Sequence, residues 1–329
     1  MATYKGIQGY SVQKLSSDPT ASEAVGQLWY NSEEGKFKVG TAGVGAWASG
    51  VTMNTAHDGT GGAGTVTAGL IASGSNHPTT VTQNAELYNG STWTEVNNVL
   101  TARKATGAAG TSTTCIMAGG QLPPGSYQGV SESYNGTSWT EGNNVLTSGR
   151  TNMGMVGSST AALSFGSFAG SITALTESYN GTCWSEDSDL NTARRSMGSA
   201  GTQAGALCIA GYTTGSVNQV ESWNGTSWSE TSTDTNTAKC CCNGKGSTTD
   251  TIIFGGEGPP QLTETETFNG TTWTEVGDMA VKAYNQGAAG ANNTAALSCG
   301  GSEGAPQAAS DLVEEWNDPV YTIKTVTVS

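Results

Sequence analysis

Histidine is almost missing from this chain: His57 and His77 are the only two among 329 residues. A multi-histidine metal centre is thereby excluded, because zinc and copper sites draw most of their nitrogen ligands from imidazole. Charge is scarce too. Only 12% of residues are charged, and 27 acidic residues outnumber 13 basic ones, for a net charge of −14. Phosphate contacts need clustered Lys and Arg, so no nucleic-acid partner is expected. No run of 18 apolar residues occurs, which excludes a transmembrane helix, and no membrane insertion is expected. The start, Met1-Ala-Thr-Tyr-Lys-Gly6, lacks the apolar stretch of a classical signal peptide. The seven cysteines are odd in number and lack the paired spacings of a disulfide framework or a zinc site, so folding in a reducing cytoplasm is expected. Sustained helical periodicity is absent, which leaves an all-β chain.

What is abundant is glycine, 47 of 329 residues and about twice ordinary usage, together with a recurring unit. Glu132-Ser-Tyr-Asn-Gly-Thr-Ser-Trp139 reads as two short strands around an Asn-Gly turn of type I′, with φ > 0 expected at both central residues. Close copies end in Trp93, Trp184, Trp228 and Trp273, and successive tryptophans are 46, 45, 44 and 45 residues apart. A period of that size marks a propeller, a solenoid or an array. The Asn-Gly-Ser/Thr triplets read as turn chemistry rather than glycosylation acceptors, since no secretion signal accompanies them. Each unit holds four strands: a small-residue strand such as Ser196 to Gly201, an apolar strand ending in Gly such as Ala206 to Gly211, then the Glu–aromatic strand and the Trp strand. Six apolar-plus-Gly strands are present, so there are six units.

The sixth unit reaches Trp316 and breaks off at Asp318-Pro319 without a Trp-Thr-Glu strand. Trp47 lies seven residues before Asn54-Thr-Ala-His57, as Trp184 lies seven before Asn191-Thr-Ala-Arg194. Residues 46–51 are therefore expected to complete the sixth unit beside Glu314–Asn317, closing the array and removing its free edges. Residues 1–40 stand apart as an N-terminal arm: a Ser16-Ser-Asp-Pro19 turn, then a hairpin of Gly26 to Asn31 and Gly35 to Val39. The division read here is an arm over 1–40, a repeat domain over 41–319 and a terminal strand over 320–329, which pairs with the hairpin or with a partner chain.

Double glycine, then an aromatic, then Trp resembles the Kelch-repeat β-propeller family. The matching residues are Gly119-Gly120, Tyr134 and Trp139; Gly255-Gly256, Phe268 and Trp273; Gly300-Gly301 and Trp316. The chain departs from that pattern in its short aromatic-to-Trp gap and at Gly166-Ser167. The resemblance implies a six-bladed Kelch-like propeller with Trp47, Trp93, Trp139, Trp184, Trp228, Trp273 and Trp316 defining its blades. The arm, with Gly26-Gln-Leu-Trp-Tyr-Asn31 after Ser16-Ser-Asp-Pro19, resembles N-terminal segments of virion proteins of tailed bacteriophages. It implies a non-enzymatic virion protein, on a tail fibre or as a capsid decoration, held to other virion proteins through residues 1–40 and oligomeric within the virion. A host-surface glycan or protein is the partner that such a location implies. An intracellular Kelch-type adaptor and a polysaccharide-acting enzyme are the competing readings.

Site candidates are few. No catalytic residue, metal site or cofactor is expected, because the repeated glutamates follow the repeat rather than break it. Cys240-Cys-Cys242 reads as small strand residues more readily than as a soft-metal site, since alternate strand residues face opposite ways and at most two share a side. His57, Arg103, Arg150, Arg194, Lys239 and Lys282 start the first strands and form a candidate cation ring at a central channel, or else pair with the repeated glutamates. The loops between second and third strands differ most among the copies, which places recognition there. Tyr127, Phe168, Tyr212, Pro259 and Pro260 are the candidate contact residues.

Overall fold

The computed structural model describes residues 12–21, 23–77, 80–142, 145, 149–258, 261–303, 308–318 and 321–327. Pro259 and Pro260 lie outside them. Among the described residues there is no helix; the strands form seven four-stranded sheets and two short ribbons. The chain divides into two compact units, Met1–Gly45 with Asp318–Ser329, and Ala46–Asn317. Where the sequence placed the division at residue 40, the strand Lys36–Ala42 carries the first unit on to Gly45.

The first unit is one sheet. Gln13–Leu15 runs parallel to Leu28–Asn31, which forms a hairpin with Lys36–Ala42, and Tyr321–Thr325 pairs antiparallel with Lys36–Ala42. Asp18 explains why the turn and the hairpin motif occur together. Its carboxylate accepts from Trp29 Nε1 at 2.9 Å and from Asn31 Nδ2 at 2.8 Å. Those hydrogen bonds, Asn31 foremost, hold the Asp18 carboxyl below the usual range.

The second unit holds six antiparallel sheets, here numbered I to VI in chain order. Sheet IV shows the pattern: Gly198–Thr202, Gly205–Tyr212, Ser216–Trp223 and Trp228–Glu230, each hydrogen-bonded to the next. Its second strand is buried on both faces, so it is continuously apolar; its third strand alternates only near its end. The first strands are Gly61–Thr65, Gly107–Gly110, Gly154–Ser158, Gly198–Thr202, Asn243–Ser247 and Gly287–Asn292. Each lies beside the first strand of the next sheet, and Gly287–Asn292 lies beside Gly61–Thr65. Small residues fill these strands because the backbones approach closely: a Cβ on Gly62 would collide with the Ala288 carbonyl.

Sheet VI takes its fourth strand from the other end of the unit. Ala46–Ser49 pairs antiparallel with Val313–Asn317, and Trp47 stands opposite Trp316 with ring centroids 5.7 Å apart. Tryptophan also ties sheet to sheet. Trp47 Nε1 donates to Thr265 Oγ1 of sheet V at 2.8 Å, and Trp228 Nε1 of sheet IV donates to Thr176 Oγ1 of sheet III at 3.0 Å.

One turn assignment is corrected. Tyr134 pairs with Trp139, so the loop spans four residues, Asn135 to Ser138. Gly136 is left-handed (φ 91°), but Asn135 is not, which rules out type I′. Asparagine acts through its side chain: Asn135 Oδ1 accepts from the amides of Thr137 at 2.9 Å and Ser138 at 2.8 Å. The same arrangement recurs at Asn89, Asn180, Asn224 and Asn269.

Candidate functional site

Just before each first strand, one residue bridges the last residue of the second strand or the third residue after it. The six bridges are Asp58–Ser75, Lys104–Gln121, Thr151–Phe168, Arg195–Tyr212, Cys240–Glu257 and Tyr284–Ser302. Each is closed by two backbone hydrogen bonds, for example Thr151 N–H to Phe168 C=O at 3.0 Å and Phe168 N–H to Thr151 C=O at 2.8 Å. The next residue is left-handed every time: Gly59, Ala105, Asn152, Ser196, Cys241 and Asn285. These six residues form a closed cycle of backbone hydrogen bonds. Gly59 N–H donates to Asn285 C=O (2.9 Å), Asn285 to Cys241 (2.9 Å), Cys241 to Ser196 (2.7 Å), Ser196 to Asn152 (2.8 Å), Asn152 to Ala105 (3.0 Å) and Ala105 to Gly59 (2.6 Å). The backbone of this rim repeats six times, yet no two of its side-chain pairs are alike.

Three of the sequence candidates meet on the rim. The Tyr127 and Phe168 rings stand edge to face at 5.5 Å. The Arg195 guanidinium lies 5.3 Å from the Phe168 centroid and 4.8 Å from that of Tyr212. All four side chains are partly exposed. The row Tyr127–Phe168–Arg195–Tyr212 thus crosses sheets II to IV, with a cation held between two aromatic faces. Beyond it opens a cavity of about 440 Å³ lined by Arg195, Ser196, Tyr212, Ser216, Cys240, Cys241, Glu257 and Gly258. Arg195 carries no special sequence signal; only its bridge to Tyr212 reveals it.

Of the two readings of the cation set, pairing with the repeated glutamates holds for five residues and the channel ring does not. His57, Arg103, Arg150, Arg194 and Lys239 are buried and do not face a channel. Each meets the glutamate of its own third strand: His57 Nε2 lies 3.7 Å from Glu86, Arg103 bonds Glu132, Arg150 reaches Glu177 at 2.9 Å, Arg194 Glu221 at 2.7 Å and Lys239 Glu266 at 3.0 Å. Glu86, Glu132, Glu221 and Glu266 also accept backbone amides at the start of the unit, as Glu221 does from Asn191 (2.7 Å) and Thr192 (3.1 Å). A carboxylate buried away from water needs this many donors. Lys282 does not belong to the set. Glu314 accepts from Ala280 N–H at 2.9 Å, which aligns Ala280 with Asn191 and puts Ala283, not Lys282, at the cation position. Lys282 is exposed.

The first strands instead surround two cavities of about 100 and 90 Å³, and Lys245 lines both. Its Nζ stands 3.3 Å from the Gly62 carbonyl, and burial lowers the amine to about 8. Counted back from the last glycine of each first strand, Lys245 occupies the place of Ala63, Ala109, Val156, Ala200 and Ala289. That break in the repeat is the signal by which the sequence could have revealed it.

The cysteine run resolves differently from the strand argument. Cys240 and Cys242 are buried and Cys241 is partly exposed; Cys240 and Cys241, although adjacent, turn to one side, because Cys241 is left-handed (φ 55°). Their Sγ atoms lie 3.7 Å apart, and Cys241 Sγ is 4.0 Å from Glu257 Oε2. Contact between the thiols pulls Cys240 down to about 7 and pushes Cys241 up.

No protein-family model matches the chain, and no curated protein matches it at a significant level.

Proposed function

We propose that sheets I to VI are the blades of a six-bladed, Kelch-like β-propeller, and that the chain is a non-enzymatic structural protein of a bacteriophage virion. The propeller is the recognition domain. The arm, with Asp18 locking the turn to the hairpin, attaches it to other virion proteins on a tail fibre, the tail or the capsid exterior. The observation that carries this reading is the rim. Its hydrogen-bond cycle is the same at every sheet, whereas its side-chain pairs run from the buried Asp58–Ser75 through the partly exposed Arg195–Tyr212 to Cys240–Glu257, in which the glutamate is exposed. Invariant backbone beneath divergent side chains is the arrangement of a scaffold that presents a binding surface. Closure of sheet VI by Ala46–Ser49 supports the ring, because it leaves no sheet incomplete.

The test has two arms. A mass-spectrometric inventory of purified particles should contain the chain, and Asp18→Ala should lower its incorporation. Phe168→Ala and Tyr212→Ala should leave incorporation unchanged and weaken binding to host cells or to a neighbouring virion protein. A chain absent from particles that binds a peptide inside the cell would make it an adaptor instead.

A further inference from the structure

We infer that Cys240, Cys241 and Glu257 form a binding site for a thiophilic divalent metal ion of the zinc class. The three donor atoms lie within 4.8 Å of one another. Metal–sulfur bonds of about 2.3 Å at a tetrahedral angle set two thiolates about 3.7 to 3.8 Å apart, and the two Sγ atoms stand at 3.7 Å. A tetrahedral sulfur–oxygen edge is about 3.5 Å, against 4.0 Å between Cys241 Sγ and Glu257 Oε2. Glu257 is exposed, so its side chain is free to close that gap.

The backbone makes this possible. Neighbouring strand residues point to opposite faces, but the left-handed Cys241 turns its thiol to the side of Cys240. Glu257 is placed opposite by the bridge, Cys240 N–H to Glu257 C=O at 2.9 Å and Glu257 N–H to Cys240 C=O at 2.6 Å. The other repeats put Gly59, Ala105, Asn152, Ser196 and Asn285 at the left-handed position, so the scaffold does not require sulfur there. Two thiolates and a carboxylate carry one negative charge more than a divalent ion offsets, and the Arg195 guanidinium lines the same cavity. Binding releases one proton from each thiol and changes no oxidation state. The fourth position faces the cavity of about 440 Å³, where water or a donor from a bound partner completes the ion's shell.

The experiment is a Co²⁺ titration of the reduced full-length protein, followed by the sulfur-to-cobalt charge-transfer band and by displacement with Zn²⁺. One ion per chain is expected. Cys241→Ser should abolish the band and Glu257→Gln should weaken binding at least tenfold. Cys183→Ser, which removes an exposed thiol elsewhere, should change nothing. Cys241→Ser places at this position the residue that Ser196 already supplies in sheet IV, so the fold should survive, and an unchanged melting temperature checks it. Should Cys241→Ser unfold the protein, the exposed Glu257→Gln decides alone. No band in the wild type, a band unchanged in Cys241→Ser or Glu257→Gln, or a band lost in Cys183→Ser overturns the site.

Discussion

Glu314 and Ala283 line the same cavity of about 10 Å³, in the place where the other sheets join a glutamate to a cation. Glu314 keeps the amide of Ala280 but has no side chain to meet its second oxygen, which is buried without a hydrogen-bond partner. Burial accordingly pushes its carboxyl up. Sheet VI thus retains the acid of the repeat after losing the base.

Opposite effects are therefore expected from one substitution at two equivalent positions. Glu221→Gln strands a buried Arg194 and should cost about 3–5 kcal/mol. Glu314→Gln removes an ill-matched charge and should stabilise by on the order of 1 kcal/mol at neutral pH. The sign follows from linkage. A carboxyl whose folded pKa lies above its unfolded value favours folding only when protonated, so the native Glu314 penalty is full above the folded pKa and fades as pH falls through it. Urea melts at pH 7 and pH 5 read both effects: the advantage of Glu314→Gln should shrink at pH 5, and equal destabilisation by the two variants would refute the assignment.

The four-residue turns give a second contrast. Gly136→Val forces a β-branched residue into φ 91° and should cost about 1–3 kcal/mol. Asn135→Ala removes the acceptor of two amides at an exposed loop and should cost about 0.5–2 kcal/mol, as a lost cap does. A type I′ turn would need Asn135 left-handed and would make Asn135→Gly stabilising. Here that change should destabilise, and thermal melts of the three variants discriminate.

The strand order, the six copies and the partners of sheet VI were all legible, because Trp spacing and the incomplete last copy are written in the primary structure. Local geometry was less so. Asn-Gly signals a turn, but not whether asparagine works through its backbone or its side chain. Lys282 looked like a ring member because sheet VI begins with Ala280 where sheets I, IV and V carry Asn54, Asn191 and Asn236, which hides a shift of one residue. The pairing of Cys240 with Cys241 depends on a single left-handed dihedral that composition does not announce.

Lys245 offers a test of the cavities between the first strands. Its amine is lowered to about 8 by burial, while an unfolded lysine titrates near 10.4. Folding must therefore pay to keep it charged, fully below about 8 and less as pH rises toward the unfolded value. Lys245→Met should raise stability by about 1–3 kcal/mol at pH 7. The gain should dwindle between pH 8 and pH 10. A gain independent of pH would mean that packing, not ionisation, is responsible.

Recognition is the remaining prediction, and the rim makes it specific. Tyr127, Phe168, Arg195 and Tyr212 form a continuous row whose side chains are partly exposed, while the bridges fix the backbones of Phe168, Arg195 and Tyr212 and pairing with Gln121 fixes that of Tyr127. Truncating Phe168 or Tyr212 removes an aromatic face from Arg195, yet takes little from the buried cores, which are built from other residues. Phe168→Ala and Tyr212→Ala should each shift the melting midpoint by about 1 kcal/mol or less, the worth of a half-exposed cation–aromatic contact. Each should weaken partner binding by more than about 1 kcal/mol, as loss of an aromatic anchor does. Arg195→Lys should fall between wild type and Arg195→Ala, because lysine keeps the charge but not the flat stacking surface. Thr92, Ser138 and Ser227, exposed or half-exposed in the Asn-Gly loops, serve as the comparison, and bulky replacements there should be silent. If those loops prove sensitive while the row is silent, the partner binds the opposite ends of the sheets and the rim is only a clasp that closes the ring.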